Sequence, residues 1–252
     1  MPRVEIGLTV RVYGALSGGA LPAGPALAAR PIARDGWGRL VLAGSHLKGR
    51  VRHACEQLAR ALGQPVCRPP RAATMCPHAP EVAAPPCVVC ALFGSPSWRS
   101  PLCWSDLPCI SEGVDGPLPA PAGGVRPERG AGMAGWPTVL RAGGALNRRR
   151  GTAEPERRFL LETTPPEYAG ALCFAKDPAI VGQVPDATAV QFLLAGCRLV
   201  VSVGAGETRG LGWSEVVASA RLDGAPVAFQ PALLDRLRPR RGEEGAGQGG
   251  GT

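Results

Sequence analysis

The sequence has no apolar run that approaches the roughly 20 residues needed to cross a bilayer, which predicts no membrane-spanning helix. Its start, Met1 to Ile6, lacks the charged end and long apolar stretch of a signal peptide. We therefore expect a cytoplasmic protein whose thiols stay reduced. The odd number of cysteines, nine, also argues against a complete disulfide framework.

Catalytic motifs are equally scarce. The three histidines, His46, His53 and His78, have no serine or cysteine nucleophile in a recognisable motif, and no pair of carboxylates stands out. The glycine-rich loop near the C-terminus lacks the lysine of a P-loop, which argues against nucleotide hydrolysis. The residue pattern by itself therefore indicates no metabolic enzyme.

Positive charge is what the sequence has in excess. The formal net charge of +8 favours a polyanionic partner, although a GC-rich genome, whose proteins are rich in arginine, would raise it too. The charge is concentrated in residues 48–52, 141–158 and 236–241, and the first two segments return below as motifs. The 35 glycines and 27 prolines predict a surface rich in loops.

Hydrophobic periodicity predicts an α+β fold. The order of elements fits a ferredoxin-like core, an antiparallel sheet with helices on one face. Ser45 is the expected N-cap of the first helix. The predicted strands, helices and hairpin arms are strands 4–12, 40–42, 197–203 and 216–222, helices 46–62 and 187–195, and arms 158–162 and 171–175.

We expect a single domain over residues 1–240. It would carry an insertion at 64–100 that is rich in proline and cysteine, and a region of loop and hairpin at 113–185. The tail over residues 241–252 is mostly glycine and is expected to be disordered.

The segment Gly44-Ser-His-Leu-Lys-Gly-Arg-Val-Arg52 opens the first predicted helix. A helix start presents free backbone N–H groups and the positive end of the helix dipole, which suit a phosphate. Lys48, Arg50 and Arg52 add mobile positive charge. A capped surface helix with solvated basic residues would give the same pattern.

A second segment, Val203 to Trp213, has four glycines in nine residues directly after a predicted strand. Such a loop permits positive φ angles and a close approach of the backbone to a ligand. A tight structural turn would need the same glycines.

A third segment contains Cys67, Cys76, Cys87 and Cys90, with His78 between them. Tetrahedral zinc held by the four cysteines, or by three of them and His78, would anchor a segment that cannot fold alone. A redox CxxC pair and unligated buried cysteines are the alternatives. The cysteines predicted as small core residues are Cys55, Cys103, Cys109, Cys173 and Cys197.

In this order the pieces resemble the RAMP (repeat-associated mysterious protein) superfamily, in particular the subunits that form the filament of type III CRISPR effectors. The resemblance covers roughly residues 4–220, with Glu162 and Pro165 at the expected place. Four segments resemble family motifs: 44–52 (G-S-S-L-K-G-x-x-R, with His46 at a usual serine), 87–94 (C-x-x-C-x-L-F-G), 145–153 (x-I-D-R-x-T-G-x-A) and 204–212 (G-G-x-x-S-R-G-x-G, with Thr208 for serine).

The resemblance implies a modified RNA-recognition-motif palm, a zinc-bearing insertion with structural zinc, and a β-hairpin thumb. Such subunits stack along a guide RNA and wedge their thumbs into the guide–target duplex. The implied partners are guide RNA, target RNA and other RAMP subunits, copies of this chain among them. The expected RNA contacts are Ser45, His46, Lys48, Arg50, Arg52, Arg148, Arg149, Gly206, Thr208, Arg209 and Gly210, with Arg150 near the hairpin as well.

One departure from the family concerns catalysis. Subunits that cut the target carry an aspartate shortly before a P-x-x-R-D stretch; here Pro31 to Asp35 matches that stretch, but no carboxylate lies between Glu5 and Asp35. Asp35 is the remaining catalytic candidate, at a position that is usually structural. We predict an RNA-binding subunit that does not cut. The alternatives are a metal-dependent RNase, acting on the target through Asp35 or on the guide through His46 or His53, and a zinc module that binds a protein.

Overall fold

The computed structural model describes residues 1–18, 31–79, 82, 86–110, 138–166 and 170–238. Among these residues it forms nine strands and three helices, with short 3₁₀ turns at Ala72–Thr74, Glu207–Arg209 and Pro231–Leu237. In chain order the strands and helices are β1 (Arg3–Val12), β2 (Val41–Leu42), α1 (Gly44–Ala61), α2 (Val88–Phe93), β3 (Leu102–Trp104), β4 (Leu107–Ile110), β5 (Val139–Asn147), β6 (Thr152–Thr163), β7 (Leu172–Gln183), α3 (Ala187–Arg198), β8 (Ser214–Leu222) and β9 (Ala225–Val227).

Strand β1 lies at the centre of the main sheet. It pairs antiparallel with β7 on one side and with β8 on the other, in the order β2–β4–β7–β1–β8–β9, and β3 also pairs with β7. Its even-numbered residues, from Val4 to Val12, are buried on one face, as the alternation predicts. The strand predicted over 4–12 and the α+β class are confirmed.

Helices α1 and α3 cover the buried face of this sheet. Leu47 of α1 and Leu194 of α3 belong to the same core as the even-numbered residues of β1. Each such leucine contributes roughly 1.5–3 kcal/mol through burial. The two helices approach closely at Gly196, where a β-carbon would collide with Cys55 Sγ. Both predicted helices are confirmed, and α3 continues three residues beyond its predicted end at 195.

The predicted hairpin of arms 158–162 and 171–175 is wrong. Strand β6 pairs with β5 through Val139 and Thr163, whereas β7 joins the main sheet through Val12 and Leu172. Both arms are strands, but they belong to different sheets. The hairpin of the structure is therefore β5–β6, which lies within the region of loop and hairpin predicted over 113–185.

The strand predicted over 197–203 is also wrong. Cys197 and Arg198 are the last residues of α3, and the chain then forms only a single β-bridge, between Ser202 and Trp213. Helix α3 is well started, because Asp186 Oδ1 accepts a hydrogen bond from Ala189 N–H at 2.9 Å. The helix therefore includes the first two residues of the predicted strand and ends before its valines, Val200, Val201 and Val203.

Four of the five cysteines that were predicted to lie in the core are buried, and the exception is Cys103, which is exposed on β3. The predicted tail over 241–252 lies outside the described residues. No helix in the described part of the chain is long and apolar enough to cross a membrane.

Candidate nucleic-acid interface

Helix α1 begins at Gly44, with Ala43 as its N-cap, so the predicted capping role of Ser45 is wrong. The Gly44 N–H donates a hydrogen bond to Asp106 Oδ1 at 2.8 Å. A β-carbon at Gly44 would lie 2.6 Å from the carbonyl oxygen of Ser105, so only glycine permits this approach. A carboxylate already satisfies the first amide of the helix, and Ser45 is left exposed beside it.

His46 joins the two glycine-containing motifs. Its Nε2 accepts a hydrogen bond from the Gly204 N–H at 2.8 Å, across 158 residues of sequence. Burial lowers the pKa of His46, and the positive charge of Arg50 lowers it further. The neutral ring, which alone can accept this bond, is therefore the favoured form.

The glycine-rich loop is held in a defined shape. Gly206 and Gly210 have φ angles of 84° and 76° and flank the 3₁₀ turn Glu207–Arg209. The Gly212 N–H donates to the Ala15 carbonyl at 2.9 Å, and a β-carbon at Gly212 would collide with the Val203 carbonyl. The glycines are thus needed for the turn, while Thr208, Arg209 and Gly210 at its tip are exposed.

Arg50 ties helix α1 to this loop. Its Nε donates to the Ser202 carbonyl at 3.0 Å, and its Nη2 bonds Ser202 Oγ and Glu207 Oε2, the latter at 2.6 Å. The hydrogen bond from Arg50 lowers the pKa of Glu207. The guanidinium that the sequence assigns to RNA is therefore shared with a carboxylate of the loop.

The basic residues of the helix motif face two directions. His46 and Arg50 contact the loop, whereas Arg52 donates to Glu56 Oε1 at 3.0 Å and to the Gly94 carbonyl at 2.9 Å. Burial lowers the pKa of Lys48, and the charge of Arg52 lowers it further. The motif does not form a single basic patch, because Lys48 and Arg52 lie one turn apart on the side away from Arg50.

The β5–β6 hairpin stands beside the loop. The Arg209 guanidinium lies 5.7 Å from the centre of the Phe159 ring on β6. The Leu16 N–H donates to Thr164 Oγ1 at 2.8 Å, which fixes the base of the hairpin. Arg148 and Arg149 are exposed in the turn that joins its strands, where Asn147 Oδ1 accepts from the Arg149 N–H.

Four cysteines of the insertion form one buried cluster. The Sγ atoms of Cys67, Cys76, Cys87 and Cys90 all lie within 4.8 Å of one another. The sulfur of Cys67 is 3.4 Å from that of Cys90 and 3.8 Å from that of Cys87. His78 is exposed and lies outside the group. A hydrogen bond with Cys90 lowers the pKa of Cys87.

This cluster has the dimensions of a tetrathiolate metal site. Four sulfurs that each lie about 2.3 Å from a tetrahedral zinc ion are about 3.8 Å apart, close to the distances between these cysteines. Each cysteine is less than 5% exposed, and Cys87 and Cys90 lie at the start and within the first turn of helix α2. The four sulfurs therefore lie close enough together to hold a metal ion.

Asp35 is engaged in a turn. Its Oδ1 accepts from the backbone N–H groups of Trp37 and Arg39, at 3.0 and 2.9 Å, and its Oδ2 accepts from the Arg39 guanidinium at 2.7 Å. Burial would raise the pKa of Asp35, but the hydrogen bonds from Arg39 and Trp37 outweigh it and lower the pKa. Both carboxylate oxygens thus have local partners.

Sequence reasoning missed an aromatic pair beside the loop. Tyr13 and Trp213 lie opposite each other, with a 2.7 Å hydrogen bond from the Tyr13 N–H to the Trp213 carbonyl. The two residues are 42% and 61% exposed, and the Tyr13 hydroxyl donates to Glu215 Oε2 at 2.9 Å. Tyr13 comes directly after β1 and Trp213 directly before β8, and both continue the odd-numbered, more exposed face of these strands. The alternation of apolar and polar residues in the two strands could have indicated that both side chains are exposed.

Comparison with known proteins places the chain in a family. The model of the RAMP superfamily matches residues 14–215. Among solved structures, the cryo-EM structure of the Type III-B Cmr-beta bound to cognate target RNA matches with a TM-score of 0.49 and 14% sequence identity. That match covers 88% of this chain but only 61% of the other, and no curated protein matches. Because the family model covers most of its length, the chain belongs to the RAMP superfamily.

Proposed function

We propose that the chain is a guide-RNA-binding subunit of a multi-subunit type III CRISPR effector. The observation that carries the proposal is the hydrogen bond between His46 and Gly204, which brings the start of α1 and the glycine-rich loop together. These are two of the motifs that the family resemblance assigns to RNA. Thr208 and Arg209 are exposed at the tip of the joined unit, where a phosphate can reach them.

The chemistry of this unit suits the backbone of RNA better than its bases. Backbone N–H groups of a glycine loop and a mobile guanidinium recognise phosphate without reading sequence. A guide must keep its base edges free for pairing, so the protein that holds it should contact phosphate and sugar. The net charge of +8 agrees with a polyanionic partner.

The topology supports a ferredoxin-like palm. The strands β8–β1–β7–β4 form an antiparallel order in which α1 lies between β1 and β4 along the chain, and α3 between β7 and β8. This is the split β-α-β arrangement of that fold. Hairpin β5–β6 then serves as the thumb, with Arg148 and Arg149 at its tip to contact the guide–target duplex or a neighbouring RAMP subunit, such as a second copy of this chain.

The ion that suits the cysteine cluster is zinc. A buried set of four thiolates with tetrahedral spacing leaves no open position for substrate, which is typical of a structural site. Zinc there would stabilise the insertion, which among the described residues has only α2 and a single 3₁₀ turn. Cys67, Cys76, Cys87 and Cys90 are the proposed ligands.

We further propose that the chain binds target RNA without cutting it. The carboxylate of Asp35 is occupied by its own turn, and the sequence offers no other carboxylate between Glu5 and Asp35. Incubation of the complex with complementary RNA and Mg²⁺ should leave the RNA intact. Cleavage that is lost in an Asp35→Asn variant of unchanged melting temperature would contradict this part of the proposal.

The first test of the RNA role is to purify the chain with its genomic neighbours and to sequence the RNA that comes with it. Short RNAs with a common repeat-derived end and varied interiors are the expected result. Random cellular fragments, or no RNA at all, would contradict guide binding and favour a zinc-bearing module that contacts a protein.

A further inference from the structure

Arg52 contacts the cysteine cluster directly. Its Nη2 lies 3.6 Å from Cys90 Sγ, and its Nη1 donates to the carbonyl of Gly94, which ends helix α2. Its Nε donates to Glu56 on the next turn of α1. The three nitrogens of this guanidinium therefore join helix α1, the end of α2 and the sulfur cluster.

These partners leave little of Arg52 for a ligand. The side chain of Arg52 is 20% exposed and that of Glu56 is 7% exposed. A planar guanidinium that bonds at three separate nitrogens is fixed in place, since each bond constrains its plane. Arg209, by contrast, is exposed at the tip of the glycine-rich loop. Arg52 and Arg209 thus differ in how accessible they are to a ligand.

We propose that Arg52 is a positioning residue of the metal cluster and not an RNA contact. The inference rests on the proposed zinc site. Zinc bound by four thiolates carries a net charge of about −2, which is costly in a buried place unless cations or N–H donors lie close. The guanidinium beside Cys90 offsets part of that charge and orients the sulfur, as the outer partners of metal ligands do.

Different residues of helix α1 would therefore serve the glycine-rich loop and the cysteine cluster. His46 and Arg50 face the glycine-rich loop, and Arg52 holds the opposite side of the helix to the cluster. The cluster then stabilises the helix that carries the loop contacts. Loss of metal would disturb RNA binding indirectly, through the position of α1.

The test measures zinc affinity in the full-length chain by competition with a chromogenic chelator. Arg52→Gln should weaken zinc binding by about 10-fold to 100-fold, the usual effect of removing an outer partner. Arg52→Lys keeps the charge but not the three bonded nitrogens of the guanidinium. Its zinc affinity should therefore lie between those of the wild type and Arg52→Gln. Arg60→Gln is the matched control, because Arg60 lies 4.0 Å from the same Glu56 and carries the same charge.

A second readout separates the cluster role from an RNA role. If Arg52 bound a phosphate, its removal would lower the slope of log K against log salt by about 0.7 for single-stranded RNA. We expect the slope of Arg52→Gln to equal that of the wild type when zinc is in excess. A reduced slope would overturn the inference and restore Arg52 as an RNA contact.

The outcomes distinguish this inference from the zinc proposal. Both the zinc site and the role of Arg52 are supported if the wild-type chain holds one zinc ion and zinc affinity is reduced in Arg52→Gln but unchanged in Arg60→Gln. Wild-type chain that holds zinc, with equal affinity in Arg52→Gln, overturns the role of Arg52 alone. Wild-type chain that binds no zinc overturns the metal site and the inference together.

Discussion

Arg50 Nη2 lies 2.6 Å from Glu207 Oε2, so the glycine-rich loop supplies a carboxylate to a basic residue of the helix motif. The Glu207 side chain is 51% exposed, whereas that of Arg50 is 26% exposed. Of these two side chains, that of Glu207 is therefore the more accessible to a phosphate at the loop. The pair holds the two motifs together in the free protein and opposes an anionic ligand at the same time.

Replacement of Glu207 by glutamine should tighten RNA binding. The substitution removes a negative charge beside the proposed phosphate site and leaves Arg50 bonded only to Ser202. The interaction between two exposed charges in close proximity is worth about 1 kcal/mol, so we expect about a fivefold gain in RNA affinity at low salt. Fluorescence anisotropy with a labelled single-stranded RNA measures it.

Glu5→Gln is the control for Glu207→Gln. Glu5 also forms an exposed ion pair, with Arg3 at 2.9 Å, but it lies near the other end of β1. The two variants change the net charge equally. Equal gains in affinity would attribute the effect to overall charge and would contradict a site at the loop.

Replacement of Arg209 by glutamine should weaken RNA binding and its dependence on salt. Loss of one phosphate contact lowers the slope of log K against log salt by about 0.7 for single strands. Arg209→Lys should keep the slope, since it keeps the charge. Arg198→Gln is the control, because Arg198 also lies over a phenylalanine ring, that of Phe229 at 4.2 Å, but at the end of α3. Equal slopes for Arg209→Gln and the wild type would remove Arg209 from the interface.

The elements that local patterns define were predicted well. The alternation of β1 and the helical spacing of α1 and α3 reflect burial of one face, which each segment encodes in its own residues. The spacing of Cys87 and Cys90 likewise indicated the cluster. These features require no knowledge of distant partners.

Partners that are distant in the sequence could not be predicted. Strands β6 and β7 both have the composition of strands, and only the tertiary fold decides that β7 pairs with the distant β1. Arg50 and Arg52 are two residues apart in one motif, yet Glu207 engages the first and Cys90 the second. The sequence shows that both residues are basic, but not that both side chains already bond to other groups of the protein.

Acidification should destabilise the RNA-free chain through His46. The Gly204 N–H requires an unprotonated Nε2, and burial keeps the pKa of His46 below its ordinary value of 6.5. As the pH falls below 6.5 the unfolded chain binds a proton that the folded chain refuses. The stabilisation is therefore complete above pH 6.5 and is lost as the pH falls toward the folded-state pKa.

Thermal melts between pH 7.5 and 5 test this dependence. The wild type should lose more melting temperature over this range than His46→Ser, which carries the residue usual in the family and has no imidazole. His78→Ser is the control, because His78 is exposed. If the melting temperatures of His46→Ser and the wild type fall equally with pH, the hydrogen bond to Gly204 does not govern the pH dependence of stability.

Replacement of Cys87 by serine should remove the metal and unfold the insertion. Cys87 lies at the start of α2 and is 4% exposed, so serine would leave an incomplete and buried ligand set. We expect bound zinc to be lost and the melting temperature to fall on the order of 10 °C, which corresponds to about 3 kcal/mol for a domain of this size. Cys103→Ser should behave like the wild type, because Cys103 is exposed and lies outside the cluster. Elemental analysis and thermal melts of both variants give the answer: equal zinc content in Cys87→Ser and Cys103→Ser would exclude the tetrathiolate site, since only one of these sulfurs can reach it.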